Sequence, residues 1–256
     1  MVKHFRIGQI VPSSNTTMET EIPAMLRSRE AVFPERFTFH SSRMRMKHVT
    51  KEELAAMDAQ SVRCARELSD AKVDIIGYAC LVAIMSSGLS YHRKSEETLA
   101  AAVHEEGGDS PIVTSAGALI DVLAEMQAQN IAVVTPYMRP LTDLVVNYIC
   151  NEGFSVASDI ALEISDNLEV GRRDPNLLLD DVKRLDLAGV DTVVLSACVQ
   201  MPSLAAIERV QDLLGLPVIT AASCTTRVML KKLALEPVAP GAGFALSSRF
   251  APLAVV

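Results

Sequence analysis

The sequence predicts an α/β protein of two pseudo-symmetric halves, each with a central, mainly parallel four-stranded sheet flanked by helices, and a candidate active site in the cleft between them. Three observations carry this expectation. The run Val73-Asp-Ile-Ile-Gly-Tyr-Ala-Cys80 recurs, one residue longer, as Val190-Asp-Thr-Val-Val-Leu-Ser-Ala-Cys198. A continuous apolar run with polar bounds reads as a strand buried on both faces, so each copy delivers a cysteine to the carboxyl end of a central strand, where open α/β sheets bind ligands. Strand-like and helix-like segments alternate along the whole chain, as parallel βαβ units with right-handed crossovers require. The order of elements also repeats. Equivalent positions lie 124 residues apart at Pro12 and Pro136, 118 apart at Cys80 and Cys198, and 106 apart at Pro111 and Pro217, as if the second copy had lost loop residues.

Taken in order, Arg6–Val11 is a first strand and Pro12-Ser-Ser-Asn15 the loop that stops it. Thr16 or Thr17 can cap the next helix, whose Glu19 and Glu21 suit the positive end of its dipole. Phe37-Thr-Phe-His-Ser alternates apolar and polar residues and reads as a second strand. Thr50-Lys-Glu-Glu53 spells a capping box that opens a helix to about Ala71. The Val73–Cys80 strand follows, then a helix Ser95–Glu106 ended by Gly107-Gly108. Pro111–Ser115 is a fourth strand, and Ala116–Gln129 is a helix crossing to the second half. There Asn130–Pro136 matches the first strand. Pro140–Glu152 is a helix, Phe154–Ser158 a strand, Asn176–Ala188 a helix, and the Val190–Cys198 strand precedes a helix Ser203–Leu214. Leu216–Thr220 matches the fourth strand, and Cys224–Leu235 is a last helix before a Pro/Gly-rich surface tail. The expected division is 1–116 with 221–256 as the first half and 117–220 as the second.

Composition narrows the function classes. Apolar residues make up 49% of the chain, enough for a substantial core, and the formal net charge of −7 argues against a nucleic-acid footprint. Arg43, Arg45 and Lys47 alternate and read as the solvated face of a strand. No apolar run reaches the roughly 18–20 residues of a membrane span, and the N-terminus leads straight into a strand with no signal-peptide pattern. The five cysteines show no Cys-x-x-Cys spacing, so reduced thiols in the cytoplasm are expected. The five histidines form no HxxxH or His/Cys cluster, and there is no GxGxxG or GxxxxGK loop; neither a metal nor a nucleotide cofactor is indicated.

The chemistry points to the repeated cysteines. A buried cysteine is usually a small hydrophobe, which suits Cys64 and Cys150 in their helices. Duplication, however, places Cys80 and Cys198 at the same structural position. A thiol ahead of a helix N-terminus has a lowered pKa and can act as nucleophile or base. One thiol on each side of a substrate suits chemistry at a carbon centre, one as base or nucleophile and the other as acid. Asn15 and Tyr137 occupy corresponding loops beyond Pro12 and Pro136. They fit turn chemistry and a half-buried aromatic, or hydrogen-bond donors to a substrate carboxylate. Ser13 and Ser14 either assist or satisfy the turn. Asn167, in the polar loop Ser165-Asp-Asn167, can close over a ligand. Met44, Met46 and Met57 read as core filler.

Pro12-Ser-Ser-Asn-Thr-Thr-Met-Glu19, Tyr78-Ala-Cys-Leu-Val-Ala83, Val133-Val-Thr-Pro-Tyr137 and Ser196-Ala-Cys-Val-Gln-Met-Pro202 resemble the aspartate/glutamate racemase superfamily over nearly the whole chain. Within it the closer resemblance is to the maleate cis–trans isomerases. Racemases usually follow their first cysteine with Asn-Thr and their second with Thr-His, whereas Leu81-Val82 and Val199-Gln200 stand here. That apolar flank suits an alkene between carboxylates better than an ammonium group. The resemblance implies cofactor-free isomerisation of maleate to fumarate. Cys80, as thiolate, adds to one alkene carbon, and Cys198 donates and retrieves a proton at the other. Asn15, Tyr137 and Asn167 hold the carboxylates, with the backbone N–H groups of Val82 and Val199 as further donors. It implies a homodimer or higher homo-oligomer. The alternative is a racemase or decarboxylase of the same superfamily, acting through two cysteines or one.

Overall fold

The computed structural model describes residues 2–253; Met1 and residues 254–256, both assigned above to the first half, lie outside the described residues. In the first half, β1 (His4–Pro12) pairs in parallel with β2 (Arg36–Met44) and with β3 (Ile75–Tyr78), and β3 pairs with β4 (Ile112–Thr114). The second half repeats this with β5 (Asn130–Thr135), β6 (Ser155–Ala161), β7 (Thr192–Ser196) and β8 (Val218–Thr220). The two sheets have the orders β2-β1-β3-β4 and β6-β5-β7-β8, every pair parallel. The duplicated topology expected from the sequence is therefore present. The two runs that announced it, β3 and β7, are buried at every position, because a parallel sheet with helices on both faces leaves its central strands no wet side.

The repeated Pro-x-x-Thr segments do equivalent work. Thr114 and Thr220 each end a strand and cap the next helix, α6 (Ser115–Met126) and α11 (Ala221–Lys232), by accepting the N–H of Gly117 and Ser223. These two helices pack on each other and join the halves.

The remaining helices depart from the sequence expectation where local pattern and packing disagree. The helix expected from Thr50 to about Ala71 is two, α2 (Lys51–Asp58) and α3 (Ser61–Asp70). Its capping box is only half made: Thr50 Oγ1 accepts from Glu53 N at 3.3 Å, but the Glu53 carboxylate turns to the N–H groups of Lys47 and His48. A short helix that periodicity missed, α4 (Leu81–Ser86), starts immediately after Cys80 and precedes α5 (Tyr91–Glu105). The expected Pro140–Glu152 helix is α7 (Arg139–Asn151), and Asn167 lies in the first turn of a further helix, α8 (Asn167–Arg172), rather than in a loop. The expected Asn176–Ala188 helix breaks into one α turn, Leu178–Asp181, between two 3₁₀ turns. Arg43, Arg45 and Lys47 are exposed, as expected of a solvated face, and Arg43 is also paired. It pairs with Glu19 of α1 (Met18–Arg29) and donates to the carbonyls of Ser13 and Asn15, bracing the loop after β1.

Candidate active site

Both cysteines stand one residue beyond the last sheet hydrogen bond of their strands, Ala79 N to Ile10 O and Ala197 N to Val134 O, each 3.0 Å. The sheets aim them at one buried pocket. Its walls include all seven sequence candidates: Cys80, Cys198, Asn15, Tyr137, Asn167, Val82 and Val199. The free space between them is about 20 Å³, room for little more than a water molecule. Pro12, Met46, Val49 and Gln200 also line it. The sequence argument passed over these four as site residues, and Met46, part of the core as expected, is also a pocket wall. An apolar residue in an irregular segment carries no periodicity from which to read its direction.

The two thiols are held differently. Cys80 has φ 91° and ψ 69°, a left-handed backbone that costs a residue with a Cβ on the order of 1–3 kcal/mol. Its carbonyl turns back to accept Ala83 N at 3.1 Å, so the chain passes directly into α4. The N–H of Val82, in the first turn of that helix, is one that helix geometry leaves without an internal partner. Cys198 instead leads into a turn before α10 (Leu204–Leu214). The start of α10 is occupied by Glu21, whose carboxylate accepts Ser203 N and Leu204 N, both at 2.6 Å, and Ser203 Oγ at 3.2 Å. Glu21 reaches there from α1 in the other half.

Burial pushes the Cys80 thiol up to about 12; the Ala83 N–H pulls the other way, while Cys198 and Asp58 add to the rise. The lowered pKa expected of a thiol at a helix start is thus overturned by desolvation. Burial also raises Cys198, against which stand the Tyr137 hydroxyl and the N–H groups of Gln200 and Met201. More groups oppose the rise at Cys198 than at Cys80.

Asn15 makes the turn bonds that the sequence allowed and also lines the pocket. Its Oδ1 accepts Thr17 N at 2.9 Å and Met18 N at 3.0 Å. Asn167 directs Nδ2 to Ser14 Oγ at 2.8 Å, and Asp166 caps α8 beneath it through Leu168 N at 2.7 Å. The Tyr137 hydroxyl donates to Ala197 O at 3.1 Å beside Cys198. Ser13 fastens the segment that covers the pocket: its Oγ donates to Met46 O and accepts Met46 N. Two residues on, His48 bridges to Asp166 of the other half. Of the other cysteines, Cys64 and Cys224 are buried, but Cys150 is exposed, contrary to its reading as a buried hydrophobe. Among the described residues no group of three His, Cys, Asp or Glu side chains could hold a metal ion, and no helix is long and apolar enough to cross a membrane.

A family model described as arylmalonate decarboxylase matches residues 7–246. A maleate isomerase of Pseudomonas putida KT2440 is 64% identical over 250 residues, covering 98% of this chain and 100% of that protein. Among solved structures, a cysteine-to-alanine variant of the maleate isomerase of Pseudomonas putida S16 with maleate has a TM-score of 0.95 at 59% identity, over 96% of this chain and 99% of that one. A cysteine-to-serine variant of the Nocardia farcinica maleate cis–trans isomerase, with a covalently bound succinylcysteine intermediate, has a TM-score of 0.91 at 44% identity, over 95% and 98%. This chain, an isomerase, belongs to the maleate isomerase family.

Proposed function

We propose that the protein converts maleate to fumarate without a cofactor, by reversible addition of a cysteine to the double bond. The observation that carries this is the closed pocket with Cys80 on one wall, Cys198 on the other and two asparagines between. The sulfur of Cys80, as thiolate, bonds to C2, and the electron pair of the double bond moves to C3 next to its carboxylate. Cys198 gives its proton to C3 and becomes the thiolate. The adduct has a single C2–C3 bond and rotates; the Cys198 thiolate then takes the proton back, the double bond re-forms in the trans geometry, and Cys80 leaves as thiolate. Every proton and electron pair is accounted for by the two thiols and the substrate.

The unequal settings of the sulfurs support this division. A poorly stabilised thiolate is the stronger nucleophile, which suits Cys80. A group that must release a proton works best when its surroundings favour the conjugate base, as the Tyr137 hydroxyl and the N–H groups of Gln200 and Met201 do at Cys198. The succinylcysteine of the Nocardia relative, formed where one cysteine has been replaced by serine, supports covalent addition by another. Asn15, Asn167, Tyr137 and the N–H groups of Val82 and Val199 are positioned as carboxylate donors, neutral groups that let a carboxylate swing. A four-carbon diacid exceeds the free space, so entry requires the Met46–Thr50 segment to part from Asp166. Incubation with maleate, followed by NMR, should give fumarate and no carbon dioxide; release of carbon dioxide, or turnover of an amino acid in its place, would favour the decarboxylase or racemase alternative.

Three coarser properties accompany this proposal. The chain divides as 1–116 with 221–256, and 117–220, supported by the separate sheets and the return of α11 to the first half. Five free cysteines suit a reducing cytoplasm. Exposed Leu89, Met138, Leu168 and Leu213 support a homodimer or higher homo-oligomer, which light scattering tests.

A further inference from the structure

Gln200 follows Cys198 by two residues, is 3% exposed, and places three of its four hydrogen bonds across the cleft. Its Oε1 accepts the backbone N–H groups of Thr16 at 2.9 Å and Thr17 at 3.3 Å. Its Nε2 donates to Ser14 O at 3.1 Å and to Asn167 O at 2.8 Å. Those partners flank Asn15 on both sides and include Asn167 itself, whose Nδ2 in turn bonds Ser14 Oγ. The amide has one satisfying orientation, because turning it over would set donors against donors and acceptors against acceptors. Gly171 of α8 packs on this amide so closely that a methyl group there would overlap Nε2.

We infer that Gln200 is the positioning residue that sets both asparagines against the Cys198 thiol, so that capture of the substrate carboxylates depends on a single amide; the inference rests on the reading of the pocket as a maleate site. Gln200→Glu isolates this role. The shape is kept, but a carboxylate oxygen now faces the carbonyls of Ser14 and Asn167, and the site is forced apart. Protonation returns one O–H donor to that oxygen, and burial between carbonyls raises the pH at which this happens. Gln200→Met has no such recovery.

The test uses the Cys80→Ala background, where maleate binds without covalent chemistry and calorimetry reads carboxylate capture alone. Gln200→Glu should weaken maleate binding by about tenfold or more near pH 8, the loss of one or more charge-supporting hydrogen bonds. It should recover several-fold near pH 6 relative to the parent, while Gln200→Met stays weak at both. Gly171→Ala, which displaces the amide without changing it, should shift affinity the same way by a smaller factor and decides the matter if the Gln200 variants do not fold. Folded variants whose affinity stays within twofold of the parent at both pH values would overturn the inference. A parent that binds no maleate, together with a native protein that does not convert it, would overturn the reading of the site instead.

Discussion

The two halves carry the same strand, the same Ala-Cys ending and the same sheet position, yet their cysteines differ in surroundings. Cys80 is a strained residue that runs at once into α4, its carbonyl tied to the Ala83 N–H. Cys198 is followed by a turn fastened to the other half by Gln200 and Glu21, and the Tyr137 hydroxyl and the N–H groups of Gln200 and Met201 hold back the rise of its thiol. Duplication thus produced two thiols in register, and the segments after them made the thiols unlike. For a reaction that needs one sulfur to bond carbon and the other to hold a proton, that inequality does more than the symmetry.

The comparison breaks most visibly in the serine variants. Cys80→Ser should reduce turnover of maleate by about 10⁴-fold or more, since a hydroxyl is hardly ionised at neutral pH. Cys198→Ser should lose about 10²–10⁴-fold, the usual contribution of a positioned acid–base group. Mass spectrometry after exposure to maleate should find the adduct on Cys80, and an adduct confined to Cys198 would exchange the roles.

The pH profile sharpens the same contrast. With Cys80 held up to about 12, its thiolate is the scarce form at neutral pH. The raised pKa means activity is lost on the acid side and gained as pH increases, so kcat/KM should climb by about tenfold per pH unit through the neutral range. A profile that is flat from pH 6 to 9 (about the stable range of most proteins) would show that the bound substrate, not bulk pH, controls the thiolate.

Glu21→Ala tests the fastening of the second cysteine. It leaves Ser203 N and Leu204 N without their acceptor and should cost about 1–2 kcal/mol in urea unfolding, as loss of a helix cap does. Turnover should fall with it, because the turn after Cys198 loses its anchor.

The smallest expected change in stability concerns the first cysteine. Cys80→Gly should abolish turnover yet stabilise the fold by about 1 kcal/mol, because glycine accepts a φ of 91° without penalty. Equal or lower stability would show that the backbone at Cys80 stores no strain.

What the sequence determined by itself was whatever a local pattern can express. Two unbroken apolar runs declare central parallel strands, and repetition with a shared Ala-Cys ending declares two equivalent sites facing one cleft. That Asn15, Tyr137 and Asn167 line the pocket was legible from the family resemblance and, for Asn15 and Tyr137, from their loops as well. Only the tertiary structure decided what depends on partners distant in sequence. Gln200 and Glu21 read as ordinary polar residues until the fold brings them 184 and 182 residues to Thr16 and Ser203. Met46 becomes a pocket wall only when its segment lies over the other half. The protonation of Cys80 was misjudged for the same reason: a helix start is visible in a sequence, but the removal of water that outweighs it comes from both halves closing together.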